Sequence, residues 1–230
     1  MQVLEYLDAA GQSPYQDWFE SLDAQAAAKV TVAVTRIELG NLSNVKGVGA
    51  GVQEFRIDFG PGYRVYFGRD GDRFVILLAG GIKSRQQKDI ATGRNRWTDY
   101  KKRKKIERAT EPVQRLRREP MALTRDFKET VKARAERDAA FREALLTEAV
   151  EQLIAGEVEV GKAVLRGYIN ATVGFEKLAK ATGTPSKSLM RMLGPKGNPR
   201  AKNLFAVIGK RQRVSGVRLA VASGSRKRAA

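Results

Sequence analysis

Arg56, Arg64 and Tyr66 recur in one alternating run, and Lys83 and Arg85 follow just beyond the next apolar run. These are the side chains of this sequence best suited to chemistry. Cations gathered on one surface bind anions. When held in place they also stabilise charge developing on a reacting phosphate, and losing one such donor costs about 2.7–4 kcal/mol in comparable sites. Few other means are present, because the 230 residues include no Cys and no His. That excludes disulfides, thiol nucleophiles, Cys-ligated metals, Ser-His-Asp triads and His-Glu zinc sites. Catalysis would have to run on Lys, Arg, Tyr, Asp, Glu or a hydroxyl, and neither metal nor cofactor is expected. With histidine absent, Lys83 is a candidate general base. Gln86, Gln87, Lys88 and Arg94 are candidates for holding a polyanionic substrate. Blander readings stand beside these. Arg56 and Arg64 could pair with Asp58 and Glu54 on a solvated face, Lys83 could be an ordinary solvated lysine, and Tyr66 could simply pack against a helix.

The elements that would carry these residues follow from periodicity. Phe55, Ile57 and Phe59 alternate with Glu54, Arg56 and Asp58. After Gly60-Pro61-Gly62, Tyr63, Val65 and Phe67 alternate with Arg64 and Tyr66, a hairpin pattern. Pairing Phe59 with Tyr63 sets Ile57 opposite Val65, Asp58 opposite Arg64 and Arg56 opposite Tyr66, with one face apolar. The continuous run Phe74–Ala79 reads as a central strand buried on both sides, ended by Gly80-Gly81. A helix over about 84–102 follows, with Ile90 and Trp97 inward. Upstream, 2–6 forms a first strand, and Ser13-Pro14 starts a helix to about Leu22. Asp23 caps a second helix with an Ala27, Val30, Val34, Ile37 stripe, and Gly40–Gly51 reads as a loop. The order β-α-α-β-β-β-α makes residues 1–105 an α+β domain with a small antiparallel sheet.

The remaining sequence has a different texture. Residues 101–120 (KKRKKIERATEPVQRLRREP) hold two prolines and no apolar period, so 106–120 reads as a basic linker spanning at most about 50 Å. From Met121 the pattern is helical: Phe127 and Val131, then Phe141, Leu145, Ala149 and Leu153 behind an Asp138 cap, with Gly156 as a stop. A helix near 161–171 follows. Residues 175–193 (FEKLAKATGTPSKSLMRML) place Ala179, Gly183, Leu189 and Met192 at the spacing of a helix-turn-helix. There Thr184-Pro185-Ser186 would cap the second helix, and Thr184, Ser186, Lys187, Ser188 and Arg191 would reach DNA. Lys177, Lys180, Lys196 and Arg200 would meet phosphates. A Gly-turned helix pair in an ordinary bundle shows the same spacing. The apolar stretch 203–209 and the strand-like 216–222 complete the fold or a dimer contact.

Charge favours the nucleic-acid reading. With 43 Lys+Arg against 25 Asp+Glu the net charge is +18, distributed as +5 over 1–105, +1 over 106–120 and +12 over 121–230. Such a balance suits DNA, RNA or an acidic membrane surface. No apolar run is long enough to span a membrane, and the N-terminus lacks a secretory pattern, so a cytoplasmic location is expected.

The run EFRIDFGPGYRVYFGRDGDRFVILLAGGIKSRQQKDI, followed by RWTDYKKRK, resembles the RelE/HigB-type toxins of type II toxin–antitoxin systems across residues 1–104. Residues 121–223, from MALTRDFKETV to NPRAKNLFAV, resemble the HigA-type antitoxins, normally a separate product. The resemblance implies a RelE-like first domain that cuts mRNA on the ribosome, using the 2′-OH of the RNA itself as nucleophile. Lys83, Arg64, Arg56, Tyr66 and Arg85 would be catalytic, and Gln86, Gln87, Lys88 and Arg94 would bind RNA. It also implies a second domain, 121–230, that neutralises the first in cis or in trans and represses its own operator DNA as a homodimer. One departure stands out: the family usually has an acidic residue after the Gly-Gly pair, where this chain has Ile82. A catalytically inactive nucleic-acid-binding regulator and a gyrase-poisoning toxin are the alternatives.

Overall fold

The computed structural model describes residues 1–110 and 122–215. The first half runs β1 (Gln2–Tyr6), α1 (Pro14–Ser21), α2 (Ala24–Glu38), β2 (Val45–Gly49), β3 (Val52–Ile57), β4 (Tyr63–Asp70), β5 (Phe74–Ile82), a 3-10 turn (Lys83–Arg85) and α3 (Gln86–Thr110). The second half runs β6 (Thr124–Asp126), α4 (Phe127–Arg137), α5 (Ala139–Ile154), α6 (Val158–Ala171), α7 (Gly174–Thr182), α8 (Ser186–Met192) and α9 (Ala201–Ser215). Local chemistry accounts for several boundaries. Ser13 caps α1 by accepting from the Gln16 N–H (3.1 Å), with Pro14 at the first helical position; Asp23 caps α2 and Asp138 caps α5 in the same way.

The six strands form one sheet in the order β2-β3-β4-β5-β1-β6. It is antiparallel-rich but mixed, since β1 runs parallel to β5. Two helices and a three-strand meander separate β1 from β5, so no tight turn dictates their relative direction. As expected, β5 is central and its Val75–Ala79 stretch is fully buried.

Three expectations need correction here. Residues 45–49, read as part of a loop, form edge strand β2, because pairing to β3 recruits backbone groups that the Gly-rich composition does not forbid. The β3–β4 register differs by two residues: Ile57 faces Tyr63, Arg56 faces Arg64, Phe55 faces Val65 and Glu54 faces Tyr66. The turn is wider than Gly60-Pro61-Gly62, being closed by Phe59 N–H to Ile57 O and Gly62 N–H to Phe59 O, both at 3.0 Å. A shift of two keeps each side chain on its face, so the apolar and polar faces remain as read. Finally, α3 extends past residue 102 to Thr110, through the start of the basic linker. Its run of Lys, Arg, Glu and Ala favours helix, and Arg103–Asp99 and Lys104–Asp70 ion pairs support it. The rest of the linker and the strand-like 216–222 lie outside the described residues.

Apolar side chains fill both faces of the sheet. On one, Tyr66, Ile76, Leu78 and Ala79 meet Ile90, Trp97 and Tyr100 of α3. On the other, Phe55, Val65, Phe67, Val75 and Leu77 belong to a core that includes α1, α2 and the second half. There α2 is buried nearly all round, well beyond its predicted stripe, because α5 packs on the side away from the sheet.

The second half enters by a strand that periodicity did not reveal. Residues 124–126, expected to be helical, pair antiparallel with 4–6 of β1. Phe127 then meets Phe19 edge-on at 5.4 Å and Phe141 meets it at 5.9 Å. The Arg134 guanidinium lies over both the Phe19 and Phe141 rings and donates to Phe19 O (2.5 Å) and Leu22 O (2.6 Å). Beside this joint, Arg125 reaches Glu5 at 2.7 Å; the Glu5 side chain is fully buried. No helix among the described residues is long and apolar enough to cross a membrane.

Replacing Arg125 by Met leaves Glu5 buried without its ion. The full chain should lose about 3 kcal/mol, the low end for a broken buried pair because Arg125 itself is 30% exposed. Urea unfolding measures this, and adding Glu5→Gln should recover part of the loss.

Candidate functional site

Three strands bring the first-half candidates together in two rows. Arg56, Arg64 and Gly81 lie side by side across β3, β4 and β5, and the next row holds Glu54, Tyr66 and Ala79. Small residues on β5 let α3 approach. The Asp89 carboxylate occupies the space where a side chain at Gly81 would stand, and Gly93 lies against the Tyr66 ring. On the opposite face the Trp18 ring fills the same kind of space at Gly80. The Gly-Gly pair lies within β5 instead of ending it, and admits a carboxylate on one side and an indole on the other. The 3-10 turn that follows begins beside the β3–β4 turn, where Lys83 N–H donates to Gly62 O at 3.0 Å.

The candidates divide by exposure. Arg64 is 7% exposed and Tyr66 is fully buried, whereas Arg56, Lys83, Arg85, Gln87 and Lys88 are open to solvent. Arg64 Nη1 donates to Gly62 O (3.2 Å) and Tyr63 O (3.0 Å), and its Nε faces Glu54 Oε1 at 3.3 Å. The same Oε1 accepts from Tyr66 Oη at 3.3 Å and from Gln86 Nε2 at 2.8 Å. Burial, reinforced by the Glu54 and Asp89 carboxylates, pushes the Tyr66 hydroxyl well above the ordinary tyrosine range, so it stays protonated and donates. Arg94 is turned to a structural contact, its guanidinium holding Val48 O of β2. The sequence offers Glu54 as a partner for an arginine on a solvated face; the Arg64–Glu54 pair is present, but buried. The available signal was a carboxylate placed two residues before one arginine and across the hairpin from a tyrosine.

Asp89 is half-buried, and its Oδ2 has no hydrogen-bond partner. Burial raises its proton affinity against the opposing pull of Arg85, Lys88 and Arg96.

In the second half, Gly183 ends α7 in the left-handed conformation (φ 68°), and Pro185 precedes α8. The expected Thr184-Pro185-Ser186 side-chain cap does not form. Ser186 Oγ instead donates to Glu176 Oε1 at 2.6 Å, drawn to a carboxylate one helix away. Lys187, Arg191 and Lys196 are exposed, Thr184, Ser186 and Ser188 are half-buried, and Leu189 seats α8 inward. From α6, Arg166 donates to Met190 O (2.8 Å) and Lys162 to Gly197 O (2.5 Å), so these two cations hold the end of α8 and the segment after it. Among the described residues no group of three or more acidic, His or Cys side chains could hold a metal ion.

The profile of the family described as phage-derived protein Gp49-like (DUF891) matches residues 17–111. An uncharacterized protein of Haemophilus influenzae is 43% identical over 77 residues, which are 33% of this chain and 78% of that protein. The chain belongs to the Gp49-like family. That family is RelE-like and of the toxin type found in toxin–antitoxin systems. The Gp49-like match spans α2, β2–β5 and α3, and so contains every first-half candidate; residues 122–215 lie outside it. No solved structure matches the chain.

A carboxyl whose folded-state proton affinity is raised contributes stability below the unfolded value, here 3.8, and loses it as pH rises through the folded value. Ionised Asp89 is thus a net cost at pH 7. Asp89→Asn should raise the melting temperature at pH 7, and the gain should narrow as pH falls toward 3.8, read by scanning calorimetry across that range.

Proposed function

We propose that this chain is a fused toxin–antitoxin protein. Its first half is a ribosome-dependent mRNA endoribonuclease. Its second half neutralises that activity and binds operator DNA as an autorepressor, in the cytoplasm. The observation that carries the first part is the set of exposed cations, Arg56, Lys83, Arg85 and Lys88, on the strand, turn and helix residues that carry a buried Arg64–Glu54–Tyr66–Gln86 network. RNA supplies its own nucleophile: the 2′-oxygen bonds to phosphorus, the bond from phosphorus to the 5′-oxygen breaks, and a cyclic phosphate and a 5′-hydroxyl result. The protein has to bind the phosphate, receive the 2′-OH proton, let a proton reach the departing 5′-oxygen from that base or from water, and stabilise the added negative charge. In this reading Lys83, whose N–H is tied to Gly62 O, takes the proton; Arg56 and Arg85 meet the phosphate, and Gln87 and Lys88 the neighbouring nucleotides.

The second half supports the antitoxin reading by its joint with the first, through β6, Phe127 and Arg134. The turn at Gly183 and the exposed Lys187 and Arg191 support reading α7–α8 as a helix-turn-helix, which would bind paired half-sites as a dimer. Neutralisation between two chains fits the same joint. A catalytically inactive regulator remains the second reading, favoured by Ile82 where the RelE/HigB-type toxins usually carry an acid.

The deciding assay is mRNA cleavage in a reconstituted translation system, comparing the intact chain with the same chain cut within residues 111–121 and its halves separated. The separated first half should cut, and recombination should silence it. Lys83→Ala should lower cleavage about 100-fold or more. Arg56→Ala and Arg85→Ala should each flatten the salt dependence of single-stranded RNA binding by about 0.7 in slope. Intact mRNA with a folded first half would favour the regulator, and intact mRNA with damaged DNA would favour a gyrase poison.

A further inference from the structure

We propose that Glu54 is the positioning residue of this site. Through its single oxygen Oε1 it gathers Tyr66, Gln86 and Arg64, and thereby fixes the Lys83–Arg85 turn against β3 and β4. This rests on the ribonuclease reading of the same site.

Glu54 is 1% exposed. A carboxylate so deep in a sheet is costly unless charge and hydrogen bonds compensate it, and an apolar residue would pack there without that cost. Its partners explain its presence. Gln86 is the first residue of α3, and the three residues before it carry Lys83 and Arg85. That turn is tied at its start by Lys83 N–H to Gly62 O at 3.0 Å and at its end by Gln86 Nε2 to Glu54 Oε1 at 2.8 Å. Arg64 spans both ties, facing Glu54 with Nε and donating to Gly62 O with Nη1. The carboxylate, the guanidinium and the β3–β4 turn form one frame that holds the Lys83–Arg85 turn at both ends. Glu54 is too enclosed to touch RNA, so its effect passes through the groups it holds. Misplacing a reacting group by about 1 Å costs on the order of 100-fold in rate.

Glu54→Gln keeps the shape and removes the charge. Relative to the separated, active first half of the parent chain, cleavage at saturating RNA should fall about 10–100-fold. KM should stay within about threefold, because the exposed cations that bind phosphate remain and an anion has been removed. In an Arg64→Ala background the same change should cost little more, since the frame is already broken. A lowered melting temperature with saturating cleavage within about twofold of the parent would reduce Glu54 to a purely structural role and overturn the proposal. If Glu54→Gln does not fold, Gln86→Leu cuts only the tie to α3 and should show the same split between rate and KM; a parental rate overturns the proposal. If the parent cuts no RNA, the ribonuclease reading falls separately. The positioning role is then read by NMR of the full chain. It stands if the Arg64 Nε–H and Gln86 side-chain amide signals move to solvent-exposed values in Glu54→Gln, and it falls if they keep their parental positions.

Discussion

The joint around Phe19 is what the two halves of the molecule have in common. Its ring is enclosed by Phe127 and Phe141 from the second half, and Arg134 satisfies the carbonyls of Phe19 and Leu22 that end α1. Each fully buried aromatic of this kind contributes roughly 2–3 kcal/mol by area, and Arg134 removes the desolvation cost of two carbonyl groups. With β6 laid along β1 and Arg125 neutralising Glu5, the sheet's first strand has neighbours on both sides. The helix α2, buried almost all round, is then the shared floor of both halves.

The opposite face of the sheet serves another purpose. There the strands hold polar groups, and α3 sits close enough for Asp89 to replace the side chain Gly81 lacks. Arg64 and Tyr66 are engaged by one carboxylate, while the cations open to solvent sit on the rim. Inner groups are held in fixed geometry, and the outer cations are left open to solvent. This separation lets a protein without histidine keep Arg64 and Glu54 in defined places, since each is the other's partner. The helix α3 joins the two layers, beginning at Gln86 and clamping β2 through Arg94.

Much of this was legible in the residues. Alternation through 54–67 identifies the hairpin and its faces, the apolar run at 74–79 identifies the central strand, and Ser13, Asp23 and Asp138 announce their helices. The register was off by two because alternation repeats every two residues and is blind to such a shift; turn width alone decides it. Residues 124–126 are too few to show a period, so β6 could only be found from its pairing. The burial of Glu54 is hidden for a related reason: alternation says which face a residue occupies, not whether a helix covers that face. Lys83 and Arg85 were recognised as neighbours of the site. Arg94 was assigned to a substrate because a cation's sequence position does not reveal the carbonyl it holds.

The place of β6 in the sheet also has a temporal side. Everything through α3 is synthesised before the residues that cover α1 and α2 are made. At typical synthesis rates, the stretch from residue 111 to the end of α5 takes about 2–9 s. Until β6 is made β1 is an open edge and Glu5 lacks its arginine, and until the helices behind it follow, the faces of Phe19 and α2 are uncovered. Covalent continuity then supplies the covering half at a high local concentration. The arrival of a separate partner would depend on its abundance, whereas here the delay is set by chain length.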